Sequence, residues 1–402
     1  MKTTPFVPGA LALAIAQVLF APAVARADDV AAADAADAQA NTLPKVDVRE
    51  RAHDDTRPKL QHIMREVDGP LITVTKKTSI TKLDSVPTIV DNNNRALFAQ
   101  TPGIFYSEQQ SPGQMNLSYR GIGNPQESEF VTVLLDGIPL MSDWIGYPTI
   151  YTFPLPQTLS EVQLIRGGSS LLYGPEPPPV LNLVSRKPVA DRELAGYTEN
   201  IAGSNGLFAT FNQLSGTSGA WDYLVDAHYR TSDGERDNGD STLRGGDLHL
   251  GYRPDDAAYY TFDVHAYSLD TGDPGKLSYP QFAADPETVT TPHNNLWTDR
   301  YVAILGHERT FDADTELVAK LWYGYQDNAQ RSQDRATPPN PPTTSTLQDD
   351  QFRFGGLDAR LVHHWGRGNA FTVGTTWYHS DAPFRQWTMQ GLSPDRHDRD
   401  GV

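Results

Sequence analysis

Cysteine is absent from the 402 residues, so neither a disulfide nor a thiolate metal site holds this chain together, and burial or strand closure must suffice. Basic charge is scarce, with 33 Lys and Arg against 50 Asp and Glu, a balance that argues against nucleic acid as a partner. Beyond the first 27 residues, no segment approaches the roughly 18 consecutive apolar residues that a membrane-crossing helix needs. That excludes a helical membrane protein and leaves soluble export or a β-barrel.

Export is written into residues 1–27, "MKTTPFVPGALALAIAQVLFAPAVARA". Lys2 precedes a short apolar run from Ala10 to Phe20, and Ala25-Arg26-Ala27 offers a small-residue cleavage site, the layout of a secretory signal peptide. Removing it takes away Lys2 and Arg26 and leaves 31 basic against 50 acidic residues, a net charge of −19. Such a charge says little about a small ligand, because exposed charges are screened within about 10 Å.

Residues 28–68 read as a flexible N-terminal segment. Asp28 to Thr42 is an Ala/Asp leader with no face to bury. In the following "LPKVDVRE", Leu43 to Glu50, Val46 and Val48 share one side of an extended strand while Lys45 and Asp47 share the other. The strand is then abandoned in charged residues. A lone strand of this kind has unpaired backbone groups that the sheet edge of another protein can complete.

Residues 69–190 read as a compact α+β unit. "DNNNRALFAQTPG" starts with Asx residues suited to capping, predicts a short helix and ends at Pro102-Gly103. "EFVTVLLDGIPL" predicts a strand, an Asp136-Gly137 turn and a second strand. "LSEVQLIRGGSSLLYG" repeats the scheme: Val162 and Leu164 share a strand face, Gly167-Gly168 turns the chain, and a short apolar turn ends at Gly174.

Residues 191–402 change texture to long alternating strands. In "WDYLVDAHYR", Trp221, Tyr223, Val225, Ala227 and Tyr229 oppose Asp222, Asp226, His228 and Arg230. "YYTFDVHAYS" and "TELVAKLWYGY" alternate similarly, although Val318 and Trp322 fall on the polar side of the latter. Soluble sandwich strands run to about five or six residues, whereas these reach about ten with aromatics near their ends, as transmembrane barrel strands do. About nine such strands fit between Ala195 and His379. Gln326 to Asp350, polar and rich in Pro, reads as an extracellular loop.

Taken in order, these segments resemble TonB-dependent outer-membrane receptors, with the ferric dicitrate type as the nearest branch. "LPKVDVRE" is similar to their TonB box; "LFAQTPGIFY", "YRGIG", "VLLDGIPL" and "VQLIRGGSSLLYGP" are similar to successive plug motifs, and "SDGERDN" and "DTGDPGKLSYPQF" to early barrel segments. The sequence departs from the pattern at Pro177, Pro178 and Pro179, where many plugs continue with Gly-Gly, so the exit from the plug is stiffer here.

The resemblance implies an α+β plug followed by an antiparallel transmembrane β-barrel in the outer membrane of a Gram-negative bacterium, in contact with outer-membrane lipid. TonB, driven by its inner-membrane energising complex, would grip Leu43, Pro44, Lys45, Val46, Asp47 and Val48. A ferric chelate such as ferric dicitrate would be cargo, with no catalytic residue, no cofactor and no resident metal. Its contacts would come from two outward plug loops: Gln109, Gln110 and Gln114 as hydrogen-bonding groups, and Asp143, Trp144 and Tyr147 in the second loop, the two aromatics as apolar walls. The structural motifs would be Arg120-Gly121, Asp136-Gly137, Arg166 with Gly167 and Gly168, and Gly174. In the family, the two arginines pair with barrel carboxylates. The barrels of such receptors have 22 strands, so about nine make an incomplete wall, and the chain is expected to be a fragment, a truncated product or one part of a split receptor.

Two other classes compete. A passive pore or adhesin barrel would share the strands but need neither plug nor TonB box. An exported enzyme would need a constellation that is not found: His363 and His364 point to opposite faces of a regular strand and cannot chelate one ion. "GIGNPQ" lacks the third glycine of a dinucleotide loop. In "DGERDNGDSTLR", Asn238 replaces the turn glycine and Arg244 the terminal Glu of a calcium loop.

Overall fold

The computed structural model describes residues 63–74, 76–89, 93–108, 115–122, 130–141, 150–168, 170–173, 179–334, 343–366, 368–381 and 383–390. The signal peptide, the Ala/Asp leader and the segment Leu43–Val48 lie outside them.

The plug begins with a small hairpin, β1 (Val67–Asp68) and β2 (Leu71–Ile72). β3 (Lys77–Lys82) follows, and then a 3-10 helix over Asn94–Phe98, where the Asx-rich segment predicts a helix. A second hairpin pairs β4 (Ile104–Glu108) with β5 (Met115–Tyr119). β6 (Thr132–Leu135) and β7 (Ile138–Pro139) flank the expected two-residue turn. Both turn residues, Asp136 at φ 51 and Gly137 at φ 82, are left-handed, which Asx and glycine tolerate best.

β8 (Leu159–Arg166) leads through Gly167 and Gly168, both at positive φ, into the single helical turn α1 (Ser170–Tyr173). β9 (Val180–Ser185) starts directly after Pro179, whose carbonyl accepts from Thr132 N at 3.1 Å. A proline just before a strand costs no ladder bond, so the rigid exit delivers β9 into the sheet. The order is β3-β8-β9-β6-β7, antiparallel except for the parallel pair β6-β9. Val133, Leu159, Val162, Leu164, Leu181 and Leu183 fill its core with Leu97 and Phe98, each burial stabilising by about 1.5–3 kcal/mol.

The wall is an open antiparallel sheet in sequence order: β10 (Ala195–Ala202), β11 (Phe208–Ser218), β12 (Trp221–Ser232), β13 (Ser241–Asp255), β14 (Ala258–Gly272), β15 (Asn295–Thr310), β16 (Thr315–Gln333), β17 (Thr344–Trp365) and β18 (Asn369–Asp381). β19 (Phe384–Gln390) pairs with the other end of β17, in line with β18. The interruption falls at Pro383, on the sheet edge where proline is tolerated. β18 and β19 thus act as one wall strand, and the expected count of about nine is met.

The connections sort by end. Gly219-Ala220, Asp256-Ala257 and residues 311–314 close tight turns at one end, where the short link from β17 to β18 also falls, and longer connections join the strands at the other, the asymmetry of outer-membrane barrels. Within the longest loop lies α2 (Tyr279–Ala284), capped by Ser278 and Gln281, a helix the alternation pattern does not announce. Arg236 donates to the carbonyls of Pro274, Gly275 and Thr288, and Asn238, at φ 58, donates to those of Thr291 and Asn294. The two early barrel motifs of the sequence meet there.

Two expectations need correction. The strands run to 22 residues in β17, not about ten, and most of the stretch from Gln326 to Asp350 is strand: Gln326–Gln333 belongs to β16 and Thr344–Asp350 to β17. Both faces are polar there, so alternation is invisible in the sequence although the backbone ladder continues.

Candidate functional site

The wall's two faces differ as the alternation predicts. Trp221, Tyr229, Leu250, Tyr260, Phe262, Leu305, Leu321, Tyr323, Val373 and Trp377 are exposed on one face. Cross-strand partners on this face are apolar: Leu250 sits opposite Phe262, Leu305 opposite Leu321, and Leu357 opposite Trp377. Near the tight turns, the Trp221 ring packs tilted against Tyr252 at 4.5 Å between centroids, as in the aromatic girdle of a lipid interface.

The opposite face carries carboxylates, histidines and the contacts to the plug. His249 lies between Asp222 and Asp263, and Tyr259 donates to Asp222 at 2.9 Å. His265 Nδ1 and Asp247 Oδ1 are 2.8 Å apart. Among the described residues no group of His, Asp or Glu could hold a metal ion.

The plug is fastened to β15, β16 and β17. Ile138 of the β6–β7 hairpin packs with Val302, Ile304, Trp322, Phe352 and Phe354, which explains why Trp322 sits on the otherwise polar face. Lys320 Nζ donates to Asp136 O at 2.8 Å. Arg300, buried and lying over the Phe354 ring, donates to Pro139 O at 3.2 Å and to Gln326 Oε1 at 2.6 Å. Arg360 donates to Leu172 O and stands over the ring of Tyr173. Burial raises the Tyr173 hydroxyl to about 12, against the opposing pull of Arg360.

Asp136 is the hub of this fastening. Its Oδ1 accepts from Ser185 N at 3.0 Å and its Oδ2 from Ser185 Oγ at 2.6 Å, while Gly137 N donates to Asn182 Oδ1 at 2.8 Å. The turn expected from "LLDGIPL" is therefore tied to β9 by its side chain and to the wall by its carbonyl.

The other anticipated residues are placed as follows. Arg120, at φ 54, and Gly121, at φ 71, end the β4–β5 hairpin, with Arg120 N donating to Gly103 O at 2.8 Å. Arg166 Nε donates to Lys77 O at 3.2 Å and its Nη2 to Thr78 O at 3.4 Å, bonds within the plug sheet. Gly168, at φ 64, is close to Lys76. Leu172 packs against the buried cluster of Met64, Leu134, Ile165, Tyr173 and Val180. Gln109, Gln110, Gln114, Asp143, Trp144, Tyr147 and Gly174 lie outside the described residues, as does Leu43–Val48. The residues missed by sequence reasoning are Arg300, Lys320 and Arg360. Their signal, a cation at inward register on a wall strand, is visible for Lys320 alone, and its partner is a backbone carbonyl that no motif marks.

Residues 70–178 match the family described as TonB-dependent Receptor Plug Domain. A comparison with curated protein sequences finds no match. Among solved structures, the ferric citrate transporter FecA in its unliganded form is similar with a TM-score of 0.70 at 20% identity, over 79% of this chain and 49% of that one. The copper transporter OprC is similar with a TM-score of 0.60 at 15% identity, over 78% and 49%. The pyoverdine outer membrane receptor FpvA from Pseudomonas aeruginosa PAO1, bound to pyoverdine, is similar with a TM-score of 0.60 at 17% identity, over 78% and 47%. The chain thus spans about half the length of the transporters and receptors it matches. No helix among the described residues is long and apolar enough to cross a membrane, which leaves strand crossing untouched. With its plug domain seated against a stretch of barrel wall, this chain has the fold of a TonB-dependent receptor.

Proposed function

We propose that the chain serves TonB-dependent uptake of a ferric chelate, ferric dicitrate or another siderophore complex, across the outer membrane of a Gram-negative bacterium. The observation that carries this reading is a plug domain held by Lys320, Arg300 and Arg360 against a wall whose other face is apolar and exposed, an arrangement that a passive pore or an adhesin does not need. The ferric citrate transporter FecA among the similar structures favours the cargo class. In this reading TonB adds the strand Leu43–Val48 to its own sheet and pulls the plug. The cargo rests on Gln109, Gln110, Gln114, Asp143, Trp144 and Tyr147 beforehand. Arg120 and Arg166 help to hold the plug at rest. Iron is carried and not transformed, so the role calls for no catalytic group and no cofactor.

Deleting residues 43–48 and following radiolabelled ferric citrate tests it. Binding at the cell surface is expected to persist while uptake falls to the background of cells lacking TonB. Uptake unaffected by the deletion would assign the chain to the passive class. Retained energy-dependent binding and uptake of cobalamin, nickel or a sugar, with none of ferric citrate, would replace the cargo and keep the mechanism.

A further inference from the structure

The plug meets the wall along two seams of opposite chemistry. Toward β15–β17 the contact is dry and charge-assisted: the Ile138 cluster is closed to water, and three cations donate to plug carbonyls. Hydrogen bonds from charged donors in a water-poor setting are the stronger kind.

Toward β10–β12 the contact is different. The plug segment around Leu155 and Gln157 faces Glu199, Ala209, His228 and Arg230 across a cavity of about 10 Å³, close to the volume one water needs. Gln157 Nε2 donates to Glu199 Oε1 at 2.7 Å. Gln157 Oε1 and both ring nitrogens of His228 are buried with no hydrogen-bond partner among the described residues. The His228 side chain is only 7% exposed, and its nearest acid, Asp226, stands 3.8 Å away with an unpaired Oδ2 of its own. Buried polar atoms left without partners weaken a contact and favour water between its halves.

We infer that the β10–β12 seam binds a bridging water between Gln157 and His228 and is where the plug parts from the wall, so that a solute passes along this side while the β15–β17 seam stays closed. The direction rests on the transporter reading; the order in which the seams open does not. At the wet seam, opening exchanges unsatisfied groups for solvated ones. At the dry seam one buried donor, Trp322 Nε1, also stands without a partner among the described residues, but opening there must strip three cations from their carbonyls and expose Ile138, Val302 and Trp322 together.

The native chain lacks cysteine, so single thiols report each seam without background. Ala209→Cys lines the wet seam and Val302→Cys the dry one, both at buried positions and both small changes. In purified protein in detergent, maleimide labelling under increasing urea is expected to reach Ala209→Cys first, at a rate about tenfold above that of Val302→Cys below the global transition. A dried seam, Gln157→Leu with His228→Leu, should bring the two rates together. Equal rates in the parent chain, or faster labelling of Val302→Cys, would overturn the inference.

The same thiols in whole cells separate the two claims. Faster labelling of Ala209→Cys that a protonophore abolishes supports both. The urea order without any effect of energy would retain the seam and refute the TonB reading.

Discussion

Asp136 shows how much one side chain can set. Its carboxylate holds Ser185, its left-handed backbone turns β6 into β7, and its carbonyl receives Lys320 from the wall. Asp136→Ala should therefore cost about 1–3 kcal/mol, the range for leaving buried partners unsatisfied, whereas Asp136→Asn, which tolerates positive φ and keeps one acceptor, should cost clearly less; urea unfolding in detergent measures both. Tyr173 gives a pH signature. Its folded value of about 12 lies above the ordinary 10.0, so the folded state holds the proton more tightly than the unfolded one. The stabilisation is complete below the unfolded value and is lost as pH rises from there through the folded value. A difference absorbance titration against Tyr173→Phe should find this phenol still protonated at pH 11. Arg360→Gln, which removes the opposing charge, should shift the value further upward.

Among elements, the wall strands were legible wherever one face is apolar and exposed and the other polar, and they faded wherever the faces became alike. β12 alternates in burial from Trp221 to Ala227, with Leu224 the apolar exception on its inner side. In β15, Val302 and Ile304 are buried against the plug while Ala303 and Leu305 face outward, so the sequence "YVAIL" reads as an unbroken apolar run without period. At Gln326–Gln333 both faces are polar and the strand reads as loop. The plug elements were legible because turn chemistry marks them: Asp136-Gly137 and Gly167-Gly168 stand at the positive φ their residues suggest. The fastening of plug to wall was not, since its acceptors are main-chain carbonyls. Arg300→Met should leave Pro139 O and Gln326 Oε1 without their donor, which costs about 1–3 kcal/mol, and should speed proteolysis of the β6–β7 region while the wall stays resistant. Leu321→Arg, on the exposed face of β16, should lower stability in vesicles by about 2–4 kcal/mol if its depth is near the midplane. Adjacent strand positions thus differ in kind: Leu321 is on the exposed apolar row and Lys320 bonds to the plug.

For the molecule as a whole, an acidic, cysteine-free chain with no long apolar helix among its described residues gives every wall strand a paired neighbour and an apolar outward row, and β15–β17 an inner row that grips the plug. β10 and the β18–β19 strand are the two margins of this open sheet. The proposed membrane role depends on the outward row meeting lipid, and neighbouring tryptophans report it. Trp377, on the outward row, is 58% exposed, and Trp322, packed on Ile138, is 4% exposed. In single-tryptophan variants of the full chain reconstituted in vesicles of brominated phosphatidylcholine, fluorescence of Trp377 should be strongly quenched and that of Trp322 left almost unchanged. Equal quenching of both, or quenching of Trp322 alone, would contradict the account.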